Sequence, residues 1–141
     1  MRLYQLTVRR EFVCEIDAPC AGSSNEVYLA IRGLFEGLDR EQFCAIFVNG
    51  KNKIVGFEVV SIGSLNSSIV HPREAFKLAI LNSAAGVVFA HNHPSGVPSP
   101  SEEDRRITDR LRKAGELLAI PVLDHVIIGD GTYYSFADNG W

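Results

Sequence analysis

The feature that most constrains the fold is the stretch 86–104, GVVFAHNHPSGVPSPSEED, in which an apolar run leads into two histidines, a loop and an acidic cluster. The apolar run is typical of a buried strand, and Pro94 ends it. The Pro, Gly and Ser residues that follow are typical of a loop. A helix is predicted to begin near Ser101. The stretch therefore predicts a strand, a returning loop and a helix start that lie close together.

Three side chains in this stretch are candidate ligands of one metal ion. His91 and His93 lie two residues apart on the predicted strand, so both imidazoles point to the same side. Asp104 lies in the first turn of the helix, whose N-terminus favours the ionised carboxylate. Two histidines and an aspartate are sound zinc ligands, and three protein ligands leave the fourth tetrahedral position for water.

A structural alternative explains part of the same stretch. SEED at 101–104 fits a capping box, with Ser101 as the N-cap and Asp104 reaching back to it. A lone H-x-H pair is also a weak metal signal. The capping box does not explain the paired histidines or the loop that returns toward them, so both interpretations stay open at this point.

Three other metal-site interpretations are excluded. HNH nucleases take their residues from separated positions, and here Asn92 points away from its two neighbours. The zinc deaminase pattern, H-x-E followed by P-C-x-x-C, is absent from the sequence. The H-E-x-x-H pattern is absent as well.

A hydrolytic zinc site also needs a group that moves protons, and Glu58 is the candidate. In KIVGFEVVS the alternation places Ile54, Gly56, Glu58 and Val60 on one face, where the carboxylate interrupts an apolar surface. A buried unpaired carboxylate is costly and often functional. The alternative is that this face meets solvent near the strand end. Glu74 is a rival, but it lies in a first helical turn, where an acid is common.

The remaining histidines have two interpretations each. His125 alternates with Leu123 and Ile127, which fits a core residue or a neighbour of the metal's outer shell. His71 precedes Pro72, where it either positions a helix or approaches the outer shell.

The chain of 141 residues is predicted to be one domain with a sizeable core, since 46% of it is hydrophobic. Strand pairs interleaved with helices predict an α/β fold with a mixed central sheet flanked by helices. The predicted elements are a strand at 3–14, a linker at 17–25, a helix at 25–37, a hairpin of strands at 43–49 and 53–63, a helix at 71–84, a strand at 86–93, a helix from Ser101, and a second hairpin formed by 121–129 and YYSF.

Charge and composition limit the classes of partner. A net charge of −3 and a pI of about 5.8 provide no general attraction to nucleic acid or anionic lipid. The strongest local exception is RRITDRLRK, where Arg106, Arg110 and Lys113 share a helix face, typical of either a solvated surface or a phosphate-binding site. The sequence shows no signal-peptide core and no run of about 18 apolar residues, so we expect no membrane partner.

Cysteine usage predicts a reducing compartment. The sequence contains Cys14, Cys20 and Cys44, an odd number without a C-x-x-C pair. This is typical of free thiols in a cytoplasm rather than a disulfide framework. We therefore expect a cytoplasmic protein.

Several blocks of the sequence resemble a known family. HNHPSGVPSPSEED matches the motif H-x-H-P-x6-S-x2-D of the JAMM (MPN+) metalloproteases, with Asn92 where eukaryotic members usually have Ser or Thr. SIGSLNSSIVHPREAFKLAI, AHNHPSGVPSPSEED and AGELLAIPVLDHVIIGDGTYYSF resemble, more closely, the bacterial RadC proteins. The resemblance covers 25–141, which defines a RadC-like JAMM/MPN domain, and leaves 1–24 as an N-terminal strand and linker without a recognised likeness.

The resemblance implies a cytidine-deaminase-like JAB/MPN fold and a zinc-dependent peptidase or isopeptidase acting on peptide or protein substrates. It assigns His91, His93 and Asp104 to one zinc ion per chain. It assigns Glu58 to general acid/base catalysis and Ser101 to stabilisation of the tetrahedral intermediate.

Two other functions stay open. RadC proteins are often labelled DNA repair proteins, which implies a DNA-binding or nucleic-acid-processing module. The usual helix-hairpin-helix module is missing from this sequence, so the chain is expected to be a short member or an excised domain, and DNA binding has weaker support. The third alternative is a metal-stabilised interaction domain without catalysis. An unprotected sheet edge could pair two copies into a homo-oligomer.

Overall fold

A computed structural model describes residues 1–5, 7–16, 20–63 and 70–141. Within this part, five strands form one mixed sheet in the order β2-β1-β3-β4-β5. The elements are α1 (Ser24–Ile31), a 3-10 helix (Arg32–Phe35), β1 (Gln42–Val48), β2 (Ile54–Ile62), α2 (Pro72–Ala75), α3 (Lys77–Leu81), β3 (Gly86–Asn92), α4 (Glu102–Leu118), β4 (Val122–Ile128) and β5 (Tyr133–Ser135).

The connection between β3 and β4 determines where functional residues can meet. β1 is antiparallel to both β2 and β3, and β5 is antiparallel to β4, but β3 and β4 run parallel. Parallel neighbours need a crossover connection, which α4 provides here. The end of β3 and the start of α4 therefore lie together at the carboxyl end of the parallel pair, a common place for a site in α/β folds.

Each face of the sheet has its own hydrophobic core, which gives three layers. One core joins the sheet to the helices α2, α3 and α4, and its largest members are Phe43, Phe47, Phe76, Phe89, Ile107 and Leu111. The other core joins the sheet to α1 and includes Val27, Ile31, Ile46, Val88 and Val126. The prediction of an α/β fold with a mixed central sheet between helices is confirmed.

Two predicted helices are shorter than expected. The helix predicted at 71–84 is divided at Phe76, whose backbone (φ −100°, ψ −8°) separates α2 from α3. The Phe76 ring is buried and packs edge-on against Phe89, so tertiary packing explains the departure from regular helix geometry. The helix predicted at 25–37 is α-helical only to Ile31, and Gly37 (φ +72°) then turns the chain.

The strand predicted at 3–14 is wrong for the residues that the structure describes, 3–5 and 7–14, which form no strand. An alternating sequence forms a strand only where a neighbouring strand accepts its backbone hydrogen bonds. Residues 7–14 instead line a groove of about 570 Å³ together with residues 54–57 of β2. The predicted linker at 17–25 lies partly outside the described residues, and Ser23 caps the helix that follows it.

Candidate metal centre

Three side chains meet where β3 ends and α4 begins. The Nε2 atoms of His91 and His93 lie 3.0 Å apart. Asp104 Oδ1 lies 3.2 Å from His91 Nε2, and Asp104 Oδ2 lies 3.3 Å from His93 Nε2. His91 is fully buried, Asp104 is 3% exposed, and His93 is partly exposed. The three residues form a group that could hold a metal ion.

The spacing of these atoms fits a small tetrahedral ion. Zinc bound at 2.0–2.1 Å places two tetrahedral ligands about 3.3–3.4 Å from each other, close to the three separations observed. His93 Nδ1 lies 2.8 Å from the carbonyl oxygen of Val97. A carbonyl only accepts, so Nδ1 carries the proton of the neutral ring and Nε2 presents a lone pair to the other two ligands.

The electrostatics of the group favour a cation. Burial alone would raise the pKa of Asp104, but the contacts of its carboxylate with the His91 and His93 rings outweigh burial and lower that pKa. Burial lowers the pKa of His91, whereas the hydrogen bond that the protonated form of His93 donates to Asp104 raises the pKa of His93. The carboxylate is therefore ionised and the His91 ring neutral, which are the forms that bind a metal.

The capping box and the ligand set use the same carboxylate. The Ser101 hydroxyl oxygen accepts the Asp104 backbone N–H at 3.1 Å, and Asp104 Oδ2 accepts the Ser101 backbone N–H at 2.7 Å. Oδ2 is also the oxygen that faces His93. The two interpretations that the sequence left open are thus compatible, because capping the helix orients Asp104 toward the histidines.

The loop between the histidines and α4 is held by the turn between β4 and β5. Gly96 has a φ of +82°, a region that favours glycine, and its carbonyl oxygen accepts the Asp130 N–H at 2.9 Å. A Cβ on Gly129 would lie 2.5 Å from that same oxygen. The backbone N–H of His93 donates to the Ile128 carbonyl at 2.9 Å. These contacts hold the loop against the sheet and keep His93 beside His91.

A second set of contacts lies behind His91. Its Nδ1 is 2.8 Å from Nε2 of His125, and His125 Nδ1 is 2.6 Å from the Thr108 hydroxyl oxygen. Thr108 also donates to the backbone carbonyl of Asp104 at 2.6 Å. Thr108 belongs to no recognisable motif in the sequence, although its position one helical turn after Asp104 was an available signal. His71 lies at the start of α2, and no contact among the described residues joins it to the three ligands.

Glu58 lies on the face of the sheet that carries the ligands, but on β2, two strands away from β3. It pairs with Ala45 of β1, whereas His91 pairs with Phe43. Two strand spacings amount to about 10 Å. The charged groups that act on Glu58 are Lys77 and Glu74, so the structure does not bring it into contact with the ligands.

The environment of Glu58 is nevertheless unusual. Its Oε2 atom is buried without a hydrogen-bond partner among the described residues. Burial raises its pKa, Lys77 opposes this and Glu74 adds to it. The expectation that Ile54 shares its face is wrong, because a register shift between Phe47 and Val48 turns Ile54 toward the opposite core.

These observations agree with comparisons to known proteins. A family model described as the RadC-like JAB domain matches residues 21–141. The chain belongs to this family. It is similar to a UPF0758 protein of Methanosarcina mazei, with 46% identity over 139 residues, which are 99% of this chain and 61% of that protein. It is also similar to a UPF0758 protein of Trichlorobacter lovleyi, with 58% identity over 101 residues, 72% of this chain and 44% of that protein.

The extent of these matches bears on the N-terminal segment and on the activity of the whole protein. The match to the Methanosarcina mazei protein includes most of 1–24, a segment without a recognised likeness in the sequence analysis. This RadC-like JAB domain also spans about three fifths of the length of that relative. These matches therefore show the family of this chain and not the activity of the whole protein.

The middle residue of the HNH tripeptide has a structural role in this RadC-like JAB domain. The Asn92 side-chain oxygen accepts the Gln42 backbone N–H at 2.8 Å, and its amide donates to the Arg40 carbonyl at 3.1 Å. Asn92 therefore fixes the start of β1 and lies on the opposite face of the sheet from the ligands.

The basic face of α4 is compensated by neighbouring acids. Arg106 lies 3.5 Å from Glu103, and Lys113 lies 2.7 Å from Asp109. Such exposed pairs are typical of a solvated helix surface. Among the described residues, no helix is long and apolar enough to cross a membrane.

Proposed function

We propose that this RadC-like JAB domain is a zinc-dependent hydrolase that cleaves peptide or isopeptide bonds. The observation that carries the proposal is the group of His91, His93 and Asp104, whose spacing and protonation states suit a three-ligand zinc site with one position left for water. Bound zinc would supply Lewis acidity, which lowers the pKa of coordinated water from 15.7 to about 7.

Glu58 is the proton-transfer group in this proposal. Burial raises its pKa toward the range in which a carboxylate can accept a proton and then release it to a leaving nitrogen. Its Oε2 atom has no hydrogen-bond partner among the described residues, so no other contact there competes for the proton. In this proposal a water molecule and the scissile bond lie between Glu58 and the three ligands.

Ser101 is the oxyanion donor in this proposal. Its oxygen already accepts the Asp104 backbone N–H, which leaves the hydroxyl proton available. The side chain is exposed beside the ligand group. A hydrogen bond from this hydroxyl to the developing oxyanion would lower the barrier by about 3 kcal/mol.

The test combines metal content with turnover. Elemental analysis of protein purified without chelator is expected to find about one zinc per chain in the native protein, as zinc sites of this kind hold a single ion. We expect the same zinc content in Glu58→Gln and in the control His71→Ala, but its loss in His91→Ala. A peptide library should be hydrolysed by the native protein and His71→Ala, and at least about 100-fold more slowly by Glu58→Gln.

Each negative result would reject a different part of the proposed function. Retained turnover in Glu58→Gln would reject Glu58 as the proton-transfer group. Zinc without hydrolysis of any peptide would favour a metal-stabilised interaction domain. Absence of zinc from the native protein, even after zinc is added back, would reject the metal centre, and DNA affinity that falls steeply with salt would then favour the nucleic-acid module.

A further inference from the structure

The contacts behind His91 leave its Nε2 free for a metal ion in only one arrangement of protons on neutral rings, and that arrangement begins at Thr108. A backbone carbonyl only accepts hydrogen bonds, so the single hydroxyl proton of Thr108 goes to the Asp104 carbonyl at 2.6 Å. The hydroxyl oxygen must then accept from its other partner. That partner is His125 Nδ1, at 2.6 Å, which therefore carries a proton.

The proton on His125 in turn determines where His91 carries its own proton. A neutral imidazole has one donor and one acceptor, so a proton on His125 Nδ1 leaves a lone pair on its Nε2. This lone pair accepts the Nδ1–H of His91 across 2.8 Å, and His91 Nε2 is left unprotonated, facing His93 and Asp104.

The surroundings of His125 maintain this arrangement. The ring is 1% exposed, stacks on Phe136 at 5.0 Å and meets the Phe43 ring edge-on at 5.3 Å. Its two nitrogens face His91 and Thr108, and neither of these groups is an anion that would stabilise a charged ring. Packing also prevents the ring from turning to other partners.

We propose that Thr108 is a positioning residue that, through His125, fixes the tautomer of His91 and so keeps its Nε2 available to a metal ion. Because Thr108 bonds to the carbonyl of Asp104, the chain of contacts also links two of the three ligands to each other through α4 and β4. This proposal rests on the metal-binding part of the proposed function and does not require that the site hydrolyses anything.

The first test compares Thr108→Val with Thr108→Ser. Valine keeps the shape of threonine but lacks the hydroxyl, whereas serine keeps the hydroxyl. Zinc affinity, measured by competition with a chromophoric chelator, is expected to fall about 10–100-fold in Thr108→Val and to stay within about threefold in Thr108→Ser. The exposed Thr132→Val is the control and should bind as the native protein does. Thermal unfolding of the metal-free variants checks that each is folded.

The second test measures the tautomers without metal. Two-dimensional ¹H–¹⁵N spectra of the histidine rings at neutral pH are expected to show protons on Nδ1 of both His91 and His125 in the native protein and in Thr108→Ser. Thr108→Val removes the acceptor for His125, so the His125 resonances should shift toward the other tautomer and those of His91 should follow. A purely structural role for Thr108 would leave the tautomers unchanged.

The third test asks whether Thr108 acts through His125. In a His125→Phe background, adding Thr108→Val should cause no further loss of zinc affinity. Additive losses, native affinity in Thr108→Val, or equal losses in the valine and serine variants would each overturn the proposal, as would a native protein that binds no zinc. A native protein that binds zinc without hydrolysing peptides would reject the hydrolase and leave this proposal intact.

Discussion

At the scale of single residues, Asp104 shows how local folding can orient a candidate metal ligand. The same carboxylate oxygen accepts the backbone N–H of Ser101 and faces His93. The hydrogen bond that starts α4 therefore also fixes the rotamer of the ligand. Little side-chain freedom remains to be lost when a metal binds, which favours affinity.

The two roles of Ser101, as cap and as donor to an oxyanion, can be separated by substitution. Ser101→Ala removes both and should lower the free energy of unfolding by about 1 kcal/mol, whereas Ser101→Gly keeps a tolerable cap at a loss of a few tenths. Both variants lack the hydroxyl, so both should lose about 100- to 1000-fold in turnover. Urea unfolding and peptide hydrolysis provide the two measurements. Native turnover in Ser101→Gly would show that Ser101 is only a cap.

Glu58 should make stability depend on pH in a specific direction. Burial raises its pKa in the folded state above the unfolded value near 4.3. Between these two values the folded state keeps a proton that the unfolded state has lost, so the free energy of unfolding falls as pH rises through that window. Glu58→Gln should therefore be more stable than the native protein at pH 7, by less than about 1 kcal/mol because the side chain is partly exposed.

The measurement is urea unfolding of the metal-free proteins at pH 4 and pH 7. The difference between Glu58→Gln and the native protein should shrink at pH 4, where most of the native carboxyl is protonated in both states. The exposed Glu116→Gln change is the control and should show no such divergence. A Glu58→Gln protein that is less stable at pH 7 would mean that the carboxylate is stabilised by a partner.

The sequence predicts the three candidate ligands, but it left His125 between two interpretations and carried no motif that indicates Thr108. Side-chain direction on a strand is local, so the H-x-H spacing was enough to place both histidines on one side. Contact between His91 and His125 depends on β4 lying beside β3, and their 34-residue separation contains no local signal of that. The face of Ile54 was mispredicted for a related reason, because the irregular pairing of β1 with β2 is a tertiary feature.

At the scale of secondary-structure elements, predictions succeeded where a local pattern was sufficient. Ser101 begins α4 as its capping box indicated, and both hairpins lie where the turns predicted them. The division of the helix at Phe76 could not be predicted, because it follows from packing against a phenylalanine on another element. The segment 3–14 alternates like a strand, but alternation does not specify a neighbour to pair with.

Gly115 lies in the interior of α4, and the effect of replacing it with alanine on stability can be predicted. Alanine usually stabilises a helix interior by about 1 kcal/mol relative to glycine. Here a Cβ would lie 2.6 Å from the Ile120 carbonyl oxygen and 3.1 Å from Val122, where the chain leaves α4 for β4. Gly115→Ala should therefore lower the free energy of unfolding by about 1–3 kcal/mol.

Denaturant unfolding measures this effect. Gly33→Ala is the matched control, since a Cβ there would have no neighbour within 4 Å and the φ of Gly33 is not positive. It should be at least as stable as the native protein. If Gly115→Ala were equally stable, the close approach of α4 to the following turn would be looser in solution than in the structure.

At the scale of the whole molecule, the ligand group joins the central sheet to the helix that connects its parallel strands. Two ligands follow β3, and the third begins α4. An ion held by both elements would bind the folded state and not the unfolded chain. Metal binding is therefore expected to be coupled to global stability.

Metal removal should thus lower the melting temperature. Zinc at about 100 times its dissociation constant would stabilise the folded state by about 2.7 kcal/mol. For a domain of this size that corresponds to a shift of roughly 5–15 °C. Differential scanning calorimetry with and without EDTA should show this shift in the native protein and in His71→Ala. In His91→Ala the two melting temperatures should coincide, and a full shift there would place the metal elsewhere.

The contact between Gly96 and Gly129 determines how much of the chain would have to be moved to transplant this site into another protein. A designer who copied only 86–104 would carry all three ligands, but the ligand loop would lose the turn on which it rests. Any residue larger than glycine facing Gly96 would push the loop outward and separate His93 from His91. The smallest transferable module is therefore 86–132, because the turn at 129–132, closed by the hydrogen bond from the Gly129 N–H to the Thr132 carbonyl, belongs to the site although it supplies no ligand.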